Sequence, residues 1–312
     1  MQEYADELLS HQLRDWALLG ENHAHLNAAR TKAFAFDGFS FQVQFNPKRI
    51  ISSSAKVDKK TIEKRPCFLC QANRPQEQEG LPFGNDYEIL CNPFPIFRKH
   101  YTISSVDHRP QAIDAELGRM LDLSRELPEL ALFYNAPACG ASAPDHLHFQ
   151  AGMRGLMPLE EDLEVVKLRH GKKLSAKEGL ELTAIDDSIR RFLLMESGRA
   201  SLLEEAFARL SVFMQEHAGG AEPMLNILSY CRGGRWQLMV FPREKHRPWQ
   251  YFEKGEKNIL LSPASVDMGG MLIVPLEKDF KKISEADIRD IFKQLMLSKS
   301  DFMALLTHME ND

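Results

Sequence analysis

The sequence lacks a long apolar run, an excess of positive charge and an even set of cysteines, and each absence excludes a class of protein. The longest uncharged stretch, residues 130–144, is shorter than the roughly 18 apolar residues that a membrane span needs, and it contains an asparagine, two prolines and a glycine. Acidic residues (44) outnumber basic ones (39), and the net charge is -5. We therefore expect neither a membrane nor a nucleic acid as a partner.

The five cysteines are odd in number and few for 312 residues, which fits a reducing compartment better than a disulfide framework. The first residues, MQEYADELLSHQLRDW, are acidic and amphipathic and do not show the basic region and apolar run of a secretory signal. Both observations predict a cytoplasmic protein. Hydrophobic residues make up 44% of the chain and charged residues 27%, so a folded protein with a large core is expected.

The N-terminal part of the chain mixes helix and strand patterns. Apolar residues at helical spacing predict a helix at the start, and alternation around an Asp-Gly pair predicts a β-hairpin over residues 33–45. Further on, the sequence predicts a helix over 109–127 and strands over 87–91, 100–104, 130–134 and 146–152. This order favours an α+β fold built on an antiparallel sheet.

The C-terminal part shows a helix over 202–217, a hairpin with a Gly-Gly turn, and a last helix that opens at Ser284 with a capping partner three residues on. Charged residues without a clean period separate the two parts. We therefore predict a catalytic half over residues 1–175 and a second half over residues 176–312.

Two basic stretches stand out on this acidic chain. Residues 48–65 hold seven basic residues against two acidic ones and predict a loop, which is either a solvated surface or an edge that faces phosphate groups. The cluster Arg243, Lys245, His246 and Arg247 follows the second hairpin. It either reaches the phosphates of a substrate or meets only solvent, and a solvated hairpin end is the favoured interpretation.

The most specific motif is Asp145-His-Leu-His-Phe-Gln150. Alternate residues of a strand share a face, so that His146, His148 and Gln150 are predicted to point the same way. Three polar side chains on one face make a poor core. The competing interpretation is a half-exposed strand whose polar face meets water.

The pair Cys67-Phe-Leu-Cys70 supplies two soft ligands that reach one tetrahedral Zn²⁺, with two more ligands to come from elsewhere. A redox pair and two inert thiols are the alternatives. A thioredoxin-like motif should follow a strand and open a helix, whereas the segment after Cys70 has the composition of a loop. Zinc is therefore the favoured interpretation.

Together these motifs resemble those of a known family. The spacing Pro93-x₆-His100-x₂-Ile103-x₄-His108, followed by the histidine strand, resembles the histidine-triad (HIT) superfamily. Glutamine in place of the third histidine resembles its galactose-1-phosphate uridylyltransferase branch, which includes diadenosine polyphosphate phosphorylases and GDP-hexose phosphorylases. CFLC, NPFPIF and HLHFQAG are most similar to the GDP-L-galactose/GDP-D-glucose phosphorylases, and the similarity covers most of residues 40–152.

The resemblance implies a fold and a mechanism. The fold is α+β, with two HIT-like halves of antiparallel sheet flanked by helices, and with one active site because the second half has no His-x-His motif. His148 is then the nucleophile that attacks the α-phosphorus, and Gln150 holds a non-bridging oxygen. Because glutamine cannot act as an acid, a leaving group that departs as an anion is expected, which favours transfer or phosphorolysis over hydrolysis.

The same resemblance implies nucleotide and phosphate contacts at Asn92, Phe94, Asn135, Gly140 and Ser142. These positions also have structural interpretations. Gly140 is typical of a tight turn, Phe94 of a core residue, and Asn135 of a turn cap.

Cys67, Cys70, His108 and His146 match the structural metal site of the uridylyltransferases. The match implies a zinc ion that holds the strand rigid and has no open position for water. Some relatives in the superfamily bind no metal, and Leu147 stands where the uridylyltransferases have proline. No organic cofactor is expected.

The sequence thus predicts a nucleotidyltransferase that acts on a nucleoside diphosphate sugar, first of all a GDP-hexose, with phosphate or a sugar phosphate as the other substrate. One alternative is a dinucleoside polyphosphate phosphorylase or hydrolase that uses the same residues. Another is a non-catalytic, zinc-stapled module that only binds nucleotides. The resemblance also implies a homodimer.

Overall fold

The structure is a computed structural model that describes residues 1–50, 59–177, 179–219 and 222–310. Its strands are β1 (Arg30–Ala35), β2 (Ser40–Phe45), β3 (Gly80–Phe83), β4 (Tyr87–Cys91), β5 (His100–Ser105), β6 (Leu130–Asn135), β7 (His148–Met153), β8 (Gly171–Lys177), β9 (Leu180–Asp186), β10 (Arg191–Ser197), β11 (Leu225–Arg232), β12 (Arg235–Pro242) and β13 (Met271–Val274). Its helices are α1 (Gln2–Asp15), α2 (Ala17–His25), α3 (Lys59–Lys64), α4 (Leu117–Glu126), α5 (Pro158–His170), α6 (Ala200–His217), α7 (Trp249–Phe252), α8 (Ser265–Met268), α9 (Glu277–Lys282), α10 (Glu285–Leu295) and α11 (Lys299–Glu310).

Ten of the described strands form one sheet in the order β3-β4-β5-β7-β6-β11-β12-β10-β9-β8, and all neighbours in it are antiparallel. Each half contributes five strands, β3 to β7 and β8 to β12. Counted from the edge of the sheet to its middle, both halves show the same order along the chain: first, second, third, fifth and fourth strand. The halves join where β6 pairs with β11, with Asn135 opposite Asn226. The prediction of an α+β fold with two related halves of antiparallel sheet is therefore confirmed.

The sheet is buried on both faces near this join. All six residues of β6 are buried, and they alternate between two core clusters: Leu132 and Tyr134 lie in one, Ala131 and Phe133 in the other. Such a continuous apolar strand is typical of a sheet covered on both sides. Helices α4 and α6, each between the third and fourth strands of its half, pack together on the first face.

A second, three-stranded sheet covers part of the other face. The predicted hairpin forms β1 and β2, and β13 lies parallel to β2 with Met271 opposite Gln42. Helix α10 packs there through Ile288, Phe292 and their neighbours, as its spacing predicts, and the Ser284 hydroxyl accepts the Asp287 N–H as its cap (3.2 Å).

Several predicted boundaries change. The strand predicted over 146–152 begins only at His148, and the helix predicted over 109–127 is confined to α4, because residues 109–113 are irregular. The stretch 48–65 is not simply a loop, since α3 occupies part of it, and residues 51–58 lie outside the described residues.

The charged stretch between the two parts of the chain contains α5, β8 and β9, which no clean period had indicated. The proposed boundary between residues 175 and 176 falls within β8, and the division into two independent halves stays a prediction. Of the helices described, none is long and apolar enough to cross a bilayer.

Candidate functional site

A cavity of about 480 Å³ opens between residues of both halves of the chain. It is lined by all seven residues predicted to be catalytic or to bind the nucleotide: Asn92, Phe94, Asn135, Gly140, Ser142, His148 and Gln150. The structure thus brings together residues that lie far apart in the chain. The roles assigned to them stay predictions.

His148 is the first residue of β7 and reaches the cavity although only 2% of it is exposed. Its Nδ1 lies 2.8 Å from the carbonyl oxygen of His146. Since a carbonyl only accepts, Nδ1 carries the proton and Nε2 carries the lone pair. Burial, the largest cause, lowers the pKa of His148 to about 4, so that the imidazole is neutral at pH 7.

Gln111 holds the backbone of this residue in place. The His148 N–H donates to Gln111 Oε1 (2.8 Å), and the Gln111 amide nitrogen donates to the carbonyls of His148 and Asn135, each at 3.0 Å. Gln111 is buried and lies outside every motif, so the sequence held no signal that identified it.

His100 determines which way the Gln150 amide points. The Ile96 N–H donates to His100 Nδ1 (3.2 Å), so the ring proton is on Nε2, which donates to Gln150 Oε1 (3.1 Å). The amide nitrogen of Gln150 then has no hydrogen-bond partner among the described residues and is available to a ligand in the cavity. Burial lowers the pKa of His100 to about 3, which keeps this ring neutral.

Asn135 lies where the two halves meet. Its Oδ1 accepts from Asn226 Nδ2 (2.8 Å) and from the backbone N–H of Ser265 (2.8 Å). These two donors occupy both lone pairs of the oxygen. The Ser265 hydroxyl lies 2.7 Å from Oδ1 and 2.6 Å from the Tyr134 carbonyl, and its single hydrogen is shared between them. The amide nitrogen is bonded to none of the described residues, so that Asn135 offers donors to the cavity rather than acceptors.

Asn92 and Phe94 form a turn at the cavity wall. The Asn92 Oδ1 accepts the Phe94 N–H (3.0 Å), and its Nδ2 donates to the Thr102 hydroxyl (3.1 Å). Asn92 therefore shapes the turn in addition to facing the cavity. Phe94 is half-buried at the cavity wall rather than enclosed in the core.

The loop with Gly140 and Ser142 borders the cavity from the N-terminal half. Gly140 has φ of +101°, and a Cβ added there would lie 2.7 Å from the Cβ of Ala264. A glycine is required for both reasons. The close approach of Ala264 brings the C-terminal half directly against this loop.

The four predicted metal ligands form a cluster beside β7. Cys67 Sγ lies 3.3 Å from His146 Nδ1, and Cys70 Sγ lies 3.2 Å from His108 Nδ1 and 3.5 Å from His146 Nδ1. All four donor atoms lie within 4.8 Å of one another. Zinc bonds of about 2.3 Å to sulfur and 2.0 Å to nitrogen at tetrahedral angles require such spacings, so this group can hold a metal ion.

The orientation of His146 supports the same conclusion. Its Nε2 lies 2.8 Å from the carbonyl oxygen of Ser105, which requires the proton on Nε2 and leaves Nδ1 with a lone pair toward the cysteines. The sequence predicts that His146 and His148 lie on the same face of one strand, and this prediction is wrong. His146 precedes the strand and turns its ring toward the metal ligands, while its carbonyl orients the His148 ring.

The basic cluster of the C-terminal half is not a solvated hairpin end, which corrects the favoured interpretation. Arg243 is buried, and His246 and Arg247 line the cavity; only Lys245 is exposed as predicted. From the stretch 48–65, Arg49 also lines the cavity, as the alternative of a phosphate-facing edge had suggested.

Two family models match the chain, each over slightly less than half of its length. A domain of unknown function (DUF4922) matches residues 8–153, and the C-terminal domain of GDPGP1-like proteins matches residues 166–311. No curated protein is significantly similar to the chain in sequence.

Several solved structures are similar in fold. Yeast Ap4A phosphorylase Apa2 in complex with AMP has a TM-score of 0.61 and 16% identity, over 93% of this chain and 96% of that chain. Its complex with Ap4A has the same TM-score and identity and is covered to 97%. An ADP-glucose phosphorylase from Arabidopsis thaliana, with bound ADP-glucose, reaches a TM-score of only 0.39 at 12% identity, over 86% of this chain and 100% of that chain, and supports no further argument.

Proposed function

We propose that the chain is a member of the histidine-triad superfamily, in the branch of the galactose-1-phosphate uridylyltransferases, and that it is an enzyme that transfers a nucleotidyl group through a covalent bond to His148. The proposed substrate is a nucleoside diphosphate sugar, and phosphate or a sugar phosphate is the other substrate. The motifs CFLC, NPFPIF and HLHFQAG, which resemble those of GDP-hexose phosphorylases, favour a GDP-hexose.

The observation that carries the proposal is the state of the His148 ring. Its Nδ1 is committed to the His146 carbonyl, its Nε2 holds a lone pair, and the residue lines a cavity large enough for a nucleotide. A neutral imidazole with an oriented lone pair is a competent nucleophile near pH 7 and needs no separate base.

In the first step, Nε2 of His148 attacks the α-phosphorus, the bond from that phosphorus to the bridging oxygen breaks, and the sugar phosphate leaves with the electron pair. Nδ1 keeps its proton, and its hydrogen bond to the His146 carbonyl stabilises the positive charge on the ring. In the second step, a phosphate oxygen attacks the same phosphorus and the electron pair of the P–N bond returns to Nε2. Neither step needs a proton transfer.

Donors aimed at the phosphoryl oxygens stabilise the charge that develops on them. The Gln150 amide nitrogen, which His100 turns toward the cavity, and the loop of Gly140 and Ser142 serve this purpose. Neither Gln150 nor the neutral His100 can protonate a leaving oxygen, which favours phosphorolysis or transfer over hydrolysis.

The metal in this proposal is zinc, bound by Cys67, Cys70, His108 and His146. Four protein ligands leave no open position, so that bound zinc acts as a structural crosslink. The crosslink would fix His146 in position. Because the His146 carbonyl accepts the proton of His148 Nδ1, a fixed His146 would hold the His148 ring in its reactive tautomer.

A dinucleoside polyphosphate phosphorylase is the second candidate. It is favoured by the likeness in fold to yeast Ap4A phosphorylase, which spans nearly the whole of both chains. The chemistry at His148 is the same, and only the leaving group differs.

The test is to trap the intermediate. Wild-type protein is incubated with GDP-hexose or Ap4A labelled in the α-phosphate, and we expect an acid-labile, base-stable label on the protein. His148→Ala should give no label, while His25→Ala, which removes an exposed histidine outside the cavity, should label like the wild type. Discharge of the label by phosphate, read by mass, should yield a nucleoside diphosphate.

The two substrates separate the two enzyme candidates, because only the correct leaving group gives rapid labelling. Nucleotide bound without any covalent label, with an affinity that His148→Ala leaves unchanged, would instead indicate a binding module. A nucleoside monophosphate as the main product at every phosphate concentration would overturn the argument from Gln150.

A further inference from the structure

One wall of the cavity is formed by the cysteine loop, which we define as residues 66–78. Five of its residues line the cavity: Phe68, Leu69, Asn73, Pro75 and Gln78. Phe68 and Leu69 stand between Cys67 and Cys70, which belong to the group that can hold a metal ion. The same loop therefore carries two predicted metal ligands and a part of the cavity wall.

The cysteine loop has little packing of its own to hold it in this shape. Among its described residues, 66–78, the regular structure is a single 3₁₀ turn over Gln71–Asn73, and only Cys67 and Leu69 are buried. These two form a small cluster with Ala143, apart from the two large cores. A segment with so few buried apolar contacts is ordered only weakly by packing.

The two cysteines attach the middle of the loop to the sheet. Residues 67–73 hydrogen-bond to one another and to Arg74, and their other hydrogen bonds with described residues are those of the cysteine sulfurs with His108 and His146. His108 follows β5, and His146 precedes β7. A metal ion shared by these four side chains would therefore hold the loop against the strand that carries His148.

Asn73 connects the metal ligands to the cavity. Its Nδ2 donates to the carbonyl of Cys67 (2.9 Å), and its Oδ1 accepts from none of the described residues. Gln78 is oriented in the same way, since its Nε2 donates to the carbonyl of Cys91 (3.0 Å). Both residues line the cavity, so that each offers a ligand an acceptor oxygen. For Asn73, the carbonyl that fixes the amide belongs to a predicted metal ligand.

The wall that the cysteine loop provides is neutral. It consists of an aromatic ring, two aliphatic side chains and two amides, and Phe68 is 46% exposed. The arginines of the lining, Arg49, Arg65 and Arg247, lie outside the loop. A nucleobase stacks on aromatic rings and offers N–H groups at its edge, whereas a phosphate needs positive charge or donors. The wall therefore suits the base of a nucleotide.

We propose that metal binding and nucleotide binding to this chain are cooperative. The cysteine loop binds the base in the shape that it takes when its two cysteines, His108 and His146 hold a zinc ion. This inference rests on the proposed function, which supplies both the nucleotide and the zinc ion. It concerns affinity and not the chemical step at His148. Because coupling is reciprocal, bound nucleotide tightens metal binding by the same factor.

The test measures binding and not turnover. Zinc-loaded protein and metal-free protein, prepared with a chelator under reducing conditions, are titrated with GMP and with AMP, which carry no phosphate leaving group for His148 to displace. The nucleotide that binds should have an at least about tenfold lower Kd for the zinc-loaded protein. In the reverse titration, a saturating concentration of that nucleotide should lower the Kd for zinc, measured against a chromophoric chelator, by the same factor.

Ribose 5-phosphate separates the base from the phosphate. It keeps the sugar and the phosphate of a nucleotide, so that its Kd should differ by less than about twofold between the zinc-loaded and the metal-free protein. The same large factor for ribose 5-phosphate would show that the metal acts through the phosphate contacts, and it would overturn the proposal.

Variants that keep all four metal ligands test the wall directly. Phe68→Ala should weaken nucleotide binding to the zinc-loaded protein by about 5- to 100-fold, because stacking on the base is lost. Its Kd for zinc without nucleotide should stay within about twofold of the wild type. Asn73→Ala should also weaken nucleotide binding, and it should lower the coupling factor. Gln76→Ala, which changes an exposed residue of the same loop outside the cavity lining, should behave as the wild type.

The failures are distinguishable. If the zinc-loaded wild type binds neither GMP nor AMP, the proposed function fails first. If it binds one of them with the same Kd in both forms, the coupling is wrong and the proposed function stands. If the metal-free protein unfolds, so that β12 also loses its protection against hydrogen exchange, Phe68→Ala and Asn73→Ala decide the question. Nucleotide affinities equal to that of the wild type in both variants would then refute the proposal.

Discussion

The two halves of the molecule share a strand order and differ in what their fifth strands present. In β7, Phe149 and Ala151 pack into the core while His148 and Gln150 face the cavity. Strand β12 occupies the same place in the second half. Apart from Gln237, successive residues over 236–241 pack into the core clusters on opposite faces of the sheet. A strand with core on both faces has no side that can present a reacting group.

The two halves therefore contribute different parts of the cavity. The half with an open strand face carries the proposed nucleophile, the glutamine and the four predicted metal ligands, whereas the half with the covered strand supplies loops that line the cavity. The contribution of the second half thus comes from segments between its strands and not from the strands themselves. The predictions below test whether the residues of β7 and its surroundings contribute more to the reaction than those of β12.

The largest effect is expected at Gln150. In Gln150→Glu, one carboxylate oxygen still accepts from His100, but the other replaces an N–H donor and repels the phosphoryl oxygens. The rate of label formation should fall by about 10³-fold. The control Gln76→Glu makes the same charge change at an exposed position of the same half and should leave the rate unchanged.

Removal of the proposed zinc ion should affect the two halves unequally. We expect chelation to raise amide hydrogen exchange in β7 by about a hundredfold, because loss of the crosslink at His146 frees the start of that strand. Exchange in β12 should barely change. The measurement is exchange followed by mass spectrometry of peptides. Equal loss of protection in both strands would contradict a metal that stabilises one half locally.

His100→Phe should give a smaller loss. The ring keeps its volume but loses the N–H that orients the Gln150 amide, so that the turnover number should fall by about 10- to 100-fold while KM changes little. Steady-state kinetics separate the two constants. A large rise in KM with an unchanged turnover number would show that His100 supports substrate binding instead.

The smallest effect is a pH dependence. Burial lowers the pKa of His148 to about 4, and only the neutral ring is a nucleophile. Single-turnover labelling should therefore be level from pH 8 down to about 5 and fall to half near pH 4. A half-point near the ordinary histidine value of about 6.5 would mean that the ring is not buried when it reacts.

The sequence predicted the parts of this molecule that depend on local patterns. The hairpin of β1 and β2, the cap at Ser284, the buried stripe of α10 and the fold class are confirmed. Strand β8, at the edge of the sheet, was missed because three of its seven residues are lysines, and β9 because residues 182–185 are buried in succession and show no alternation. Periodicity arises from burial on one face, and an edge of the sheet provides little of it.

The residues of the site also fall into a group that local motifs predicted and a group that they did not. The residues predicted by motif all reach either one cavity or one cluster of cysteines and histidines that can hold a metal ion. Gln111 was not identified as functional, since a buried glutamine has no local signature. His100 belongs to the motif on which the resemblance rests, but no role was predicted for it, because its partner Gln150 is 50 residues away in the chain. Arg243, His246 and Arg247 were interpreted as solvated because a basic run alone does not show which way its side chains turn.

The sequence by itself determined the chemical inventory: an imidazole at His148, an amide at Gln150 and a pair of thiols at Cys67 and Cys70. Only the tertiary structure decided the state of each group. The proton of the His148 ring, the direction of the Gln150 amide and the orientation of Arg247 all depend on atoms contributed by other residues. Hydrogen bonds and charges act over a few ångströms in space and not along the chain, so these states exist only after the chain has folded.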